Sequence, residues 1–220
     1  MNEKNKKNII AKIAVEVKEK FLGEGTGHDW WHIYRVWKVA ERIGKIEKVD
    51  IFAVCLASLL HDIADWKFHD GDDTLGPKVT REMLEKHSVS EELINHVCLI
   101  ISEISFKGAG VKTEPSTMEG KVVQDADRLD AIGAIGIARV FAYGGNKGRV
   151  IYDPEIEPVM HRNKEEYSKS ENSSINHFYE KLLLLKDRMN TKTGRKLSEG
   201  RHKFMEKYLD RFYKEWNGEL

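Results

Sequence analysis

Apolar residues recur at helical spacing along most of this chain. A first amphipathic stretch covers residues 9–21, and a second begins at His28 and continues to residue 43. The third, residues 51–60, is apolar at every position except Ser58. It is too short to cross a bilayer and too apolar for an exposed surface, so it predicts a buried helix. Asp50 stands directly before it, where an N-cap residue is expected.

Two later segments begin with the pattern of a capping box. Residues 88–91 and 116–119 each place Ser three positions ahead of Glu, which predicts a helix start at each site. The second box predicts a helix that continues through residues 122–143 and stops at Gly144 and Gly145. Gly133 and Gly136 within it predict close packing against a neighbouring element.

The C-terminal part of the chain alternates irregular and helical stretches. Residues 152–158 form a bend with two prolines and residues 168–174 a polar loop, whereas residues 175–187 and 192–216 predict helices. Aromatic residues stand at every fourth position of the last helix, where they predict packing on the body or on a second subunit rather than a ligand site: Phe204, Tyr208, Phe212 and Trp216.

No convincing strand pattern occurs, so the predicted fold class is all-α: a single-domain helical bundle. We expect residues 1–150 to form the helical core and residues 151–220 a C-terminal helical extension packed on it.

Composition narrows the class of protein. The chain has 220 residues with 36 basic and 36 acidic side chains, and zero net charge disfavours a nucleic-acid partner, short oligonucleotides aside. No secretory apolar region follows the start, and no window is long and apolar enough to span a membrane. Cys55 and Cys98 lie in apolar helical contexts typical of buried thiols in a reducing compartment. We therefore expect a cytoplasmic protein with a small-molecule partner.

Polar residues interrupt three predicted helices where core residues are expected. They are His32, the pair His61 and Asp62, and Asp127. Burying a carboxylate is costly unless it is paired or holds a cation, so the four are either ordinary buried hydrogen-bonding groups or a metal site. Two imidazoles and two carboxylates suit one divalent ion, with Mn²⁺, Fe²⁺, Co²⁺ or Mg²⁺ favoured over structural Zn²⁺.

The same residues resemble the H…HD…D signature of the HD-domain superfamily of metal-dependent phosphohydrolases. The flanking sequences are similar to the YpgQ-like branch, and the resemblance covers residues 20–145: His-Asp-Trp-Trp-His at 28–32, His-Asp-Ile-Ala-Asp-Trp-Lys at 61–67 and Asp-Ala-Asp-Arg-Leu-Asp at 125–130. It implies an all-helical fold around the metal. It also implies hydrolysis of (d)NTP to (d)NMP and pyrophosphate, usually with Mn²⁺, though Mg, Fe, Co or Ni could serve.

One ion rather than two is expected. Some HD proteins bind a second metal through two further histidines. His96 is a candidate for the first of them, but residues 101–105 hold no second one.

A divalent ion held by these ligands can bind a phosphoryl oxygen and lower the pKa of its water, so the expected nucleophile is a metal-activated water. Asp65, one helical turn after His61, could act as the general base or orient that water, or could be a plain surface carboxylate. His28, one turn before His32, could donate a proton to a phosphate oxygen or the leaving group, or could cap its own helix.

Three cations are the predicted substrate-binding residues. Arg35, Lys67 and Lys107 are placed by sequence to neutralise a polyphosphate, although each could instead be a solvated charge. Asp125 and Asp130 are expected to hold an imidazole or Arg128.

Several functions remain compatible with the sequence. A 5′-nucleotidase or a phosphodiesterase could use the same site. A non-catalytic metal- or nucleotide-binding regulatory module could keep the metal for stability, and an interaction protein could bury the His–Asp pair by chance. The aromatic stripe on the last helix also allows a homodimer.

Overall fold

The computed structural model describes residues 1–23, 29–63, 74–105, 110–111, 113–161, 165–166 and 172–220. Across these ranges the regular structure is helical and contains no strand, which confirms the all-α prediction. The elements, in chain order, are α1 Glu3–Lys20, α2 Trp30–Glu47, α3 Ile51–Leu60, α4 Leu75–Lys86, α5 Glu91–Glu103, α6 Met118–Asp130, α7 Gly133–Asn146, α8 Asn176–Glu180, a 3₁₀ helix Leu182–Arg188, and α9 Lys192–Trp216. None of the described helices has the length and apolar character needed to cross a bilayer.

Helix α3 lies at the centre of the bundle. Every residue from Phe52 to Leu60 is buried, so this stretch contacts other parts of the protein on all sides. The helix packs against α1, α2, α5 and α6, while α2 also packs along α6. Each fully buried Leu or Ile stabilises the fold by roughly 1.5–3 kcal/mol when it leaves water. This packing therefore holds α2, α3 and α6 against one another.

Aspartate side chains cap the N-termini of α3, as predicted, and of α2. Asp50 Oδ1 accepts hydrogen bonds from the backbone amides of Phe52 (2.8 Å) and Ala53 (3.3 Å), as an N-cap residue should. Asp29 does the same for the amide of His32 at 2.9 Å. Helix α2 therefore begins at Trp30, just after the start expected from periodicity, and His28 lies outside the described residues.

The two capping-box predictions are each displaced. Ser88 has a positive φ of 53° and lies in the turn after α4, so α5 begins at Glu91, with Ser90 before it. At α6 the cap is Thr117, whose Oγ1 accepts from the Gly120 amide at 3.1 Å.

The reason at α6 is tertiary competition for the predicted pair. Both the amide and the hydroxyl of Ser116 donate to Glu103 at 2.9 Å. Glu119, the other end of the box, accepts from the backbone amide of Asp50 at 3.1 Å. The reciprocal bonds of a capping box are replaced by links to α5 and to the start of α3.

The long helix predicted after residue 116 is divided in two. It ends at Asp130, and α7 begins at Gly133, which has a positive φ of 78° that favours glycine. A Cβ at Gly133 would also lie 3.0 Å from the Arg201 side chain, which confirms the predicted close approach there. Helix α7 then runs to Asn146, past the predicted stop at residues 144–145.

Two other differences concern helix extent. Helix α4 has no counterpart in the sequence-based prediction. The helix predicted over residues 175–187 is a short α8 followed by a 3₁₀ helix, because the chain turns at Lys181, whose φ and ψ are −142° and −59°.

Helix α9 matches the prediction for residues 192–216. The middle of its aromatic stripe packs on the body: Tyr208 stacks on Phe178 with ring centroids 5.8 Å apart, and Phe212 meets Tyr152 edge-on at 5.8 Å. Phe204 and Trp216, at the two ends, are each 51% exposed. A contact between the stripe and a second subunit stays a prediction.

Apolar contacts continue across the predicted division at residue 150. One cluster of buried side chains extends from Ile13 in α1 to Leu209 in α9, and α9 packs against α6 and α7. Assignment of residues 1–150 and 151–220 to a core and an extension stays a prediction.

Asp125 ties the start of α9 to α6. Its buried carboxylate accepts from the amide and hydroxyl of Thr191, both at 2.8 Å, and from the amide (2.8 Å) and side-chain nitrogen (2.9 Å) of Asn190. Burial raises its pKa, and these hydrogen bonds oppose that rise. The expectation that Asp125 binds an imidazole or Arg128 is therefore wrong, because its oxygens bind residues 190 and 191.

We predict that Asp125→Ala lowers the free energy of unfolding by about 3 kcal/mol, because four donors lose their buried acceptor. Urea denaturation followed by circular dichroism measures this change. Asp210→Ala is the control, since Asp210 is exposed and pairs with Lys214 across one helical turn, so its effect should stay within about 0.5 kcal/mol. Equal urea midpoints for Asp125→Ala and Asp210→Ala would contradict a stabilising role of the Asp125 hydrogen bonds.

Candidate metal centre

The four predicted metal ligands converge where α2, α3 and α6 meet. His32 lies in the first turn of α2, His61 and Asp62 follow the last residue of α3, and Asp127 lies on α6. His32 Nε2 is 3.2 Å from His61 Nε2, 3.2 Å from Asp62 Oδ2 and 3.6 Å from Asp127 Oδ1. His61 Nε2 is 3.5 Å from Asp62 Oδ2 and 3.9 Å from Asp127 Oδ1.

These separations suit ligands of one ion. Two ligand atoms about 2.1 Å from a common cation lie at most roughly 4.2 Å apart, and roughly 3.0–3.4 Å apart at octahedral or tetrahedral angles. His32, His61 and Asp127 form a compact group, with ligand atoms all within 4.8 Å of one another. Asp62 adds a carboxylate oxygen beside both imidazoles.

The proton positions on the two imidazoles follow from their other contacts. His61 Nδ1 lies 2.8 Å from the carbonyl oxygen of Ser58, which can only accept, so this nitrogen carries the proton. His32 Nδ1 lies 2.7 Å from Asp130 Oδ2 and donates to it in the same way. In the neutral rings both Nε2 atoms are therefore bare acceptors.

Each of the two Nε2 acceptors thus lies at short range from the other and from the carboxylate oxygens of Asp62 and Asp127. Such a set repels itself unless a proton or a cation lies between its members. The donor set therefore fits a divalent ion, and it fits one for which mixed nitrogen and oxygen ligands are suitable.

The pKa of His32 depends on its burial and on the charged groups around its ring. Burial and Arg139 oppose a positive charge on the ring, but hydrogen bonds to Asp130 and Asp62 outweigh them and raise its pKa. Without a metal, a proton is thus the alternative occupant of this nitrogen. A bound cation would displace that proton.

Asp130 orients the His32 ring, in line with the expectation that it holds an imidazole. Its Oδ1 accepts from Arg35 Nε at 2.7 Å, and its Oδ2 accepts from Arg35 Nη2 at 3.0 Å and from Arg139 Nη1 at 3.1 Å. Burial opposes ionisation of Asp130, yet hydrogen bonds from His32 and Arg35 hold its pKa well below the usual range. A carboxylate on the far nitrogen of a ligand imidazole fixes its tautomer and increases its basicity.

Arg139 is the site residue that sequence reasoning missed. It lies on α7 and reaches back to Asp130 across the turn at Gly133. A signal was present, because Arg139 is the one Asp, Glu, Lys or Arg residue in the sequence from Gly133 to Asn146. A single charge in an otherwise uncharged helix that packs on its neighbours indicates a buried partner.

The remaining sequence predictions divide into two groups. Arg35 lies beside the centre, but its guanidinium binds Asp130, so a role in substrate binding stays a prediction. Asp65 and His28, the predicted proton-transfer residues, and the predicted substrate cations Lys67 and Lys107 lie outside the described residues.

Two further expectations can be compared with the structure. The expected pairing of Arg128 with a carboxylate is wrong, because its hydrogen bonds go to the carbonyls of Arg188 and Thr113 and to the Thr113 hydroxyl. His96 was the candidate ligand for a second metal, and its Nε2 lies 3.5 Å from Glu119 Oε2. Within the described ranges, His32, His61 and Asp127 form the one group found that could hold an ion.

Comparison with known proteins agrees with this geometry. The family model described as HD domain matches residues 30–132. The chain is 41% identical over 207 residues to YpgQ of Bacillus subtilis, covering 94% of this chain and 93% of YpgQ.

Solved structures share both the fold and the sequence. The crystal structure of B. subtilis YpgQ in complex with ADP has a TM-score of 0.76 and 37% identity over 96% of each chain. A structure from Lactobacillus plantarum has a TM-score of 0.86 and 34% identity over 99% of each chain. An HD-superfamily hydrolase from Bacillus thuringiensis has a TM-score of 0.74 and 44% identity, covering 96% of this chain and 98% of its own.

The chain belongs to the HD-domain family. Its similarity to YpgQ over nearly the whole length assigns it to the YpgQ-like branch.

We predict that Asp62→Ala abolishes stoichiometric metal binding, since it removes one of two carboxylates that balance the charge of the ion. After loading with Mn²⁺ and desalting, mass spectrometry of the metal content should give about one ion per chain for the wild type and little for the variant. Asp210→Ala, on the exposed face of α9, should retain the wild-type content. Equal metal content in the wild type and Asp62→Ala would contradict the ligand assignment.

Proposed function

We propose that this protein is a metal-dependent phosphohydrolase that acts on nucleotides and converts a (d)NTP to a (d)NMP and pyrophosphate. The observation that carries the proposal is the convergence of four acceptor atoms, with the imidazole protons held on the opposite nitrogens by Ser58 and Asp130. YpgQ, similar over nearly the whole chain, has a crystal structure in complex with ADP, which supports a nucleotide as the ligand.

A divalent ion bound there would supply Lewis-acid chemistry at a phosphoryl group and lower the pKa of a coordinated water. Mn²⁺ is our first choice because two imidazoles and two carboxylates form a mixed set, and Mg, Fe, Co or Ni are alternatives. His32, His61, Asp62 and Asp127 would hold the ion. Asp130 would keep His32 in the correct tautomer.

The charges around Asp130 favour an anionic substrate. Arg35 and Arg139 both bind this one carboxylate, so the three side chains together carry a single excess positive charge next to the proposed ion. A polyphosphate would find this environment favourable. We propose that Arg35, together with Lys67 and Lys107 from the sequence pattern, contacts the phosphates.

Proton transfer is assigned from the sequence pattern. Asp65 is proposed as the general base or as the group that orients the attacking water, because it lies four residues after His61 in the sequence. His28 is proposed to donate a proton to the leaving group. Both assignments are open to direct mutational tests.

Two properties of the whole molecule belong to the same proposal. A cytoplasmic location suits Cys55 and Cys98, both free thiols in the structure. A homodimer would cover the half-exposed ends of the aromatic stripe, Phe204 and Trp216. Light scattering of the purified protein measures its molecular mass and thus tests the dimer.

We expect a panel of ribo- and deoxyribonucleoside triphosphates with Mn²⁺ to yield the monophosphate and pyrophosphate in equal amounts. Chromatography of the nucleotides and an enzymatic pyrophosphate assay measure the two products, and Asp62→Ala with the same substrates is the inactive control. Orthophosphate released from monophosphates would replace the proposal with a 5′-nucleotidase, and cleavage of diesters alone with a phosphodiesterase. Nucleotide binding without turnover under all metals would indicate a regulatory module.

Asp65→Ala should retain the metal but lose about 100-fold in kcat, because general base catalysis contributes on the order of 10²–10⁴. Steady-state kinetics together with the metal content of the same sample measure both properties. Asp62→Ala differs in that it should lose metal and turnover together, and Asp210→Ala should change neither. A fully active Asp65→Ala enzyme would remove the assignment of Asp65 without affecting the metal centre.

A further inference from the structure

A cavity separate from the candidate metal centre lies on another side of α6. Its volume is about 460 Å³, within the range of small-molecule sites. The walls come from α6, from the segment before it, from the end of the 3₁₀ helix and from the start of α9. Six charged side chains line it: four basic, Lys121, Arg128, Arg188 and Arg195, and two acidic, Glu114 and Asp187.

The cavity and the metal centre use different faces of α6. Lys121 and Arg128 are seven residues apart, so two helical turns bring them onto one side. Asp127 and Asp130 face α2, as their contacts with His32 show. Arg128 is rotated from Asp127 by about 100° and from Asp130 by about 160° around the helix axis. A ligand in the cavity would therefore be bound by side chains other than the proposed metal ligands.

Arg128 is the deepest cation of this cavity. It is 6% exposed, and within the described part of the chain its hydrogen bonds go to uncharged oxygens of Thr113 and Arg188. The neighbouring carboxylates are used elsewhere: Asp125 binds residues 190 and 191, and Asp127 faces the two imidazoles. Burial lowers the pKa of Arg128 to about 10, so the guanidinium is still charged at neutral pH.

The other side chains leave the balance of charge positive. Glu114 lies 3.7 Å from Lys121 and offsets it, while both are partly exposed. Arg195 donates from Nε to the carbonyl oxygen of Met189 at 3.0 Å, which holds its guanidinium at the rim. Among the described lining residues, four side chains are basic and two are acidic, so the formal charge of the lining is +2. Asp187 also lies 3.9 Å from Lys186, which is not a lining residue. Charge of one sign around a concave site concentrates ions of the opposite sign.

We propose that this cavity is a binding site for a small anion that carries more than one phosphate, separate from the substrate site at the metal centre. Guanidinium groups bind phosphate oxygens through paired, charge-assisted hydrogen bonds, and Arg128 at the base with Arg195 at the rim presents two such groups. A multiply charged anion would also balance the two excess positive charges of the walls.

The test uses inorganic pyrophosphate as the probe and the full-length protein after removal of metal with EDTA. Isothermal titration calorimetry should detect binding that weakens as salt is added. The double variant Lys121→Ala/Arg195→Ala removes two cations from the rim without touching buried Arg128, and it should weaken binding roughly 10-fold or more. The matched control is Lys192→Ala/Lys196→Ala, which removes two exposed charges of α9 outside the cavity and should change the affinity less than about twofold.

Asp62→Ala separates this site from the metal centre and should bind pyrophosphate like the wild type. Three results would overturn the proposal: no pyrophosphate binding at millimolar concentrations, equal binding by the wild type and the rim variant, or loss of binding in Asp62→Ala. Hydrolysis of nucleotides is measured separately, so the proposed function can fail while this site is retained, and the reverse.

Discussion

The mutual repulsion of four acceptor atoms is the constraint on which the rest of this structure depends. His32 Nε2 lies 3.2–3.6 Å from acceptor atoms of His61, Asp62 and Asp127, and His61 Nε2 lies 3.5 and 3.9 Å from the same two carboxylates. These lone pairs repel one another unless a proton or a cation lies between them. The apolar packing of α2, α3 and α6 forces them together. A cation would relieve the repulsion, so the dense hydrophobic core and the candidate metal centre occur in the same place.

The candidate ligand set could be predicted from sequence because its members are polar residues next to apolar ones. His61 and Asp62 directly follow buried α3, and Asp127 follows buried Ala126 on α6, so their place at the edge of the core follows from the sequence, although the Asp127 side chain is still 39% exposed. Arg139 was detectable as a single charge in an otherwise uncharged segment, but its partner was not. Its contact with Asp130 depends on the direction that α7 takes after the turn, and local periodicity does not contain that information.

The errors in the predicted helices have the same origin. At residue 116 the local pattern is replaced by tertiary contacts, because Ser116 binds Glu103 and Glu119 binds the backbone amide of Asp50. At residue 88, Ser88 has a positive φ in the turn after α4, so α5 begins at Glu91. The break between α6 and α7 was not predicted because Gly133 has two structural roles. Gly133 had been assigned to close packing within one helix, whereas it serves both the close packing against Arg201 and the reversal of the chain.

The positive φ angle of Gly133 makes the geometry of the candidate metal centre depend on a backbone turn outside it. The φ angle of Gly133 sets the course of α7, α7 carries Arg139 to Asp130, and Asp130 holds the ring of His32. The readiness of an imidazole to bind a cation is thereby linked, through two side chains, to a torsion in a neighbouring turn. Homologues that replace this glycine would have to orient the ring by some other route, so the identity of residue 133 can serve as a marker when members of the branch are compared.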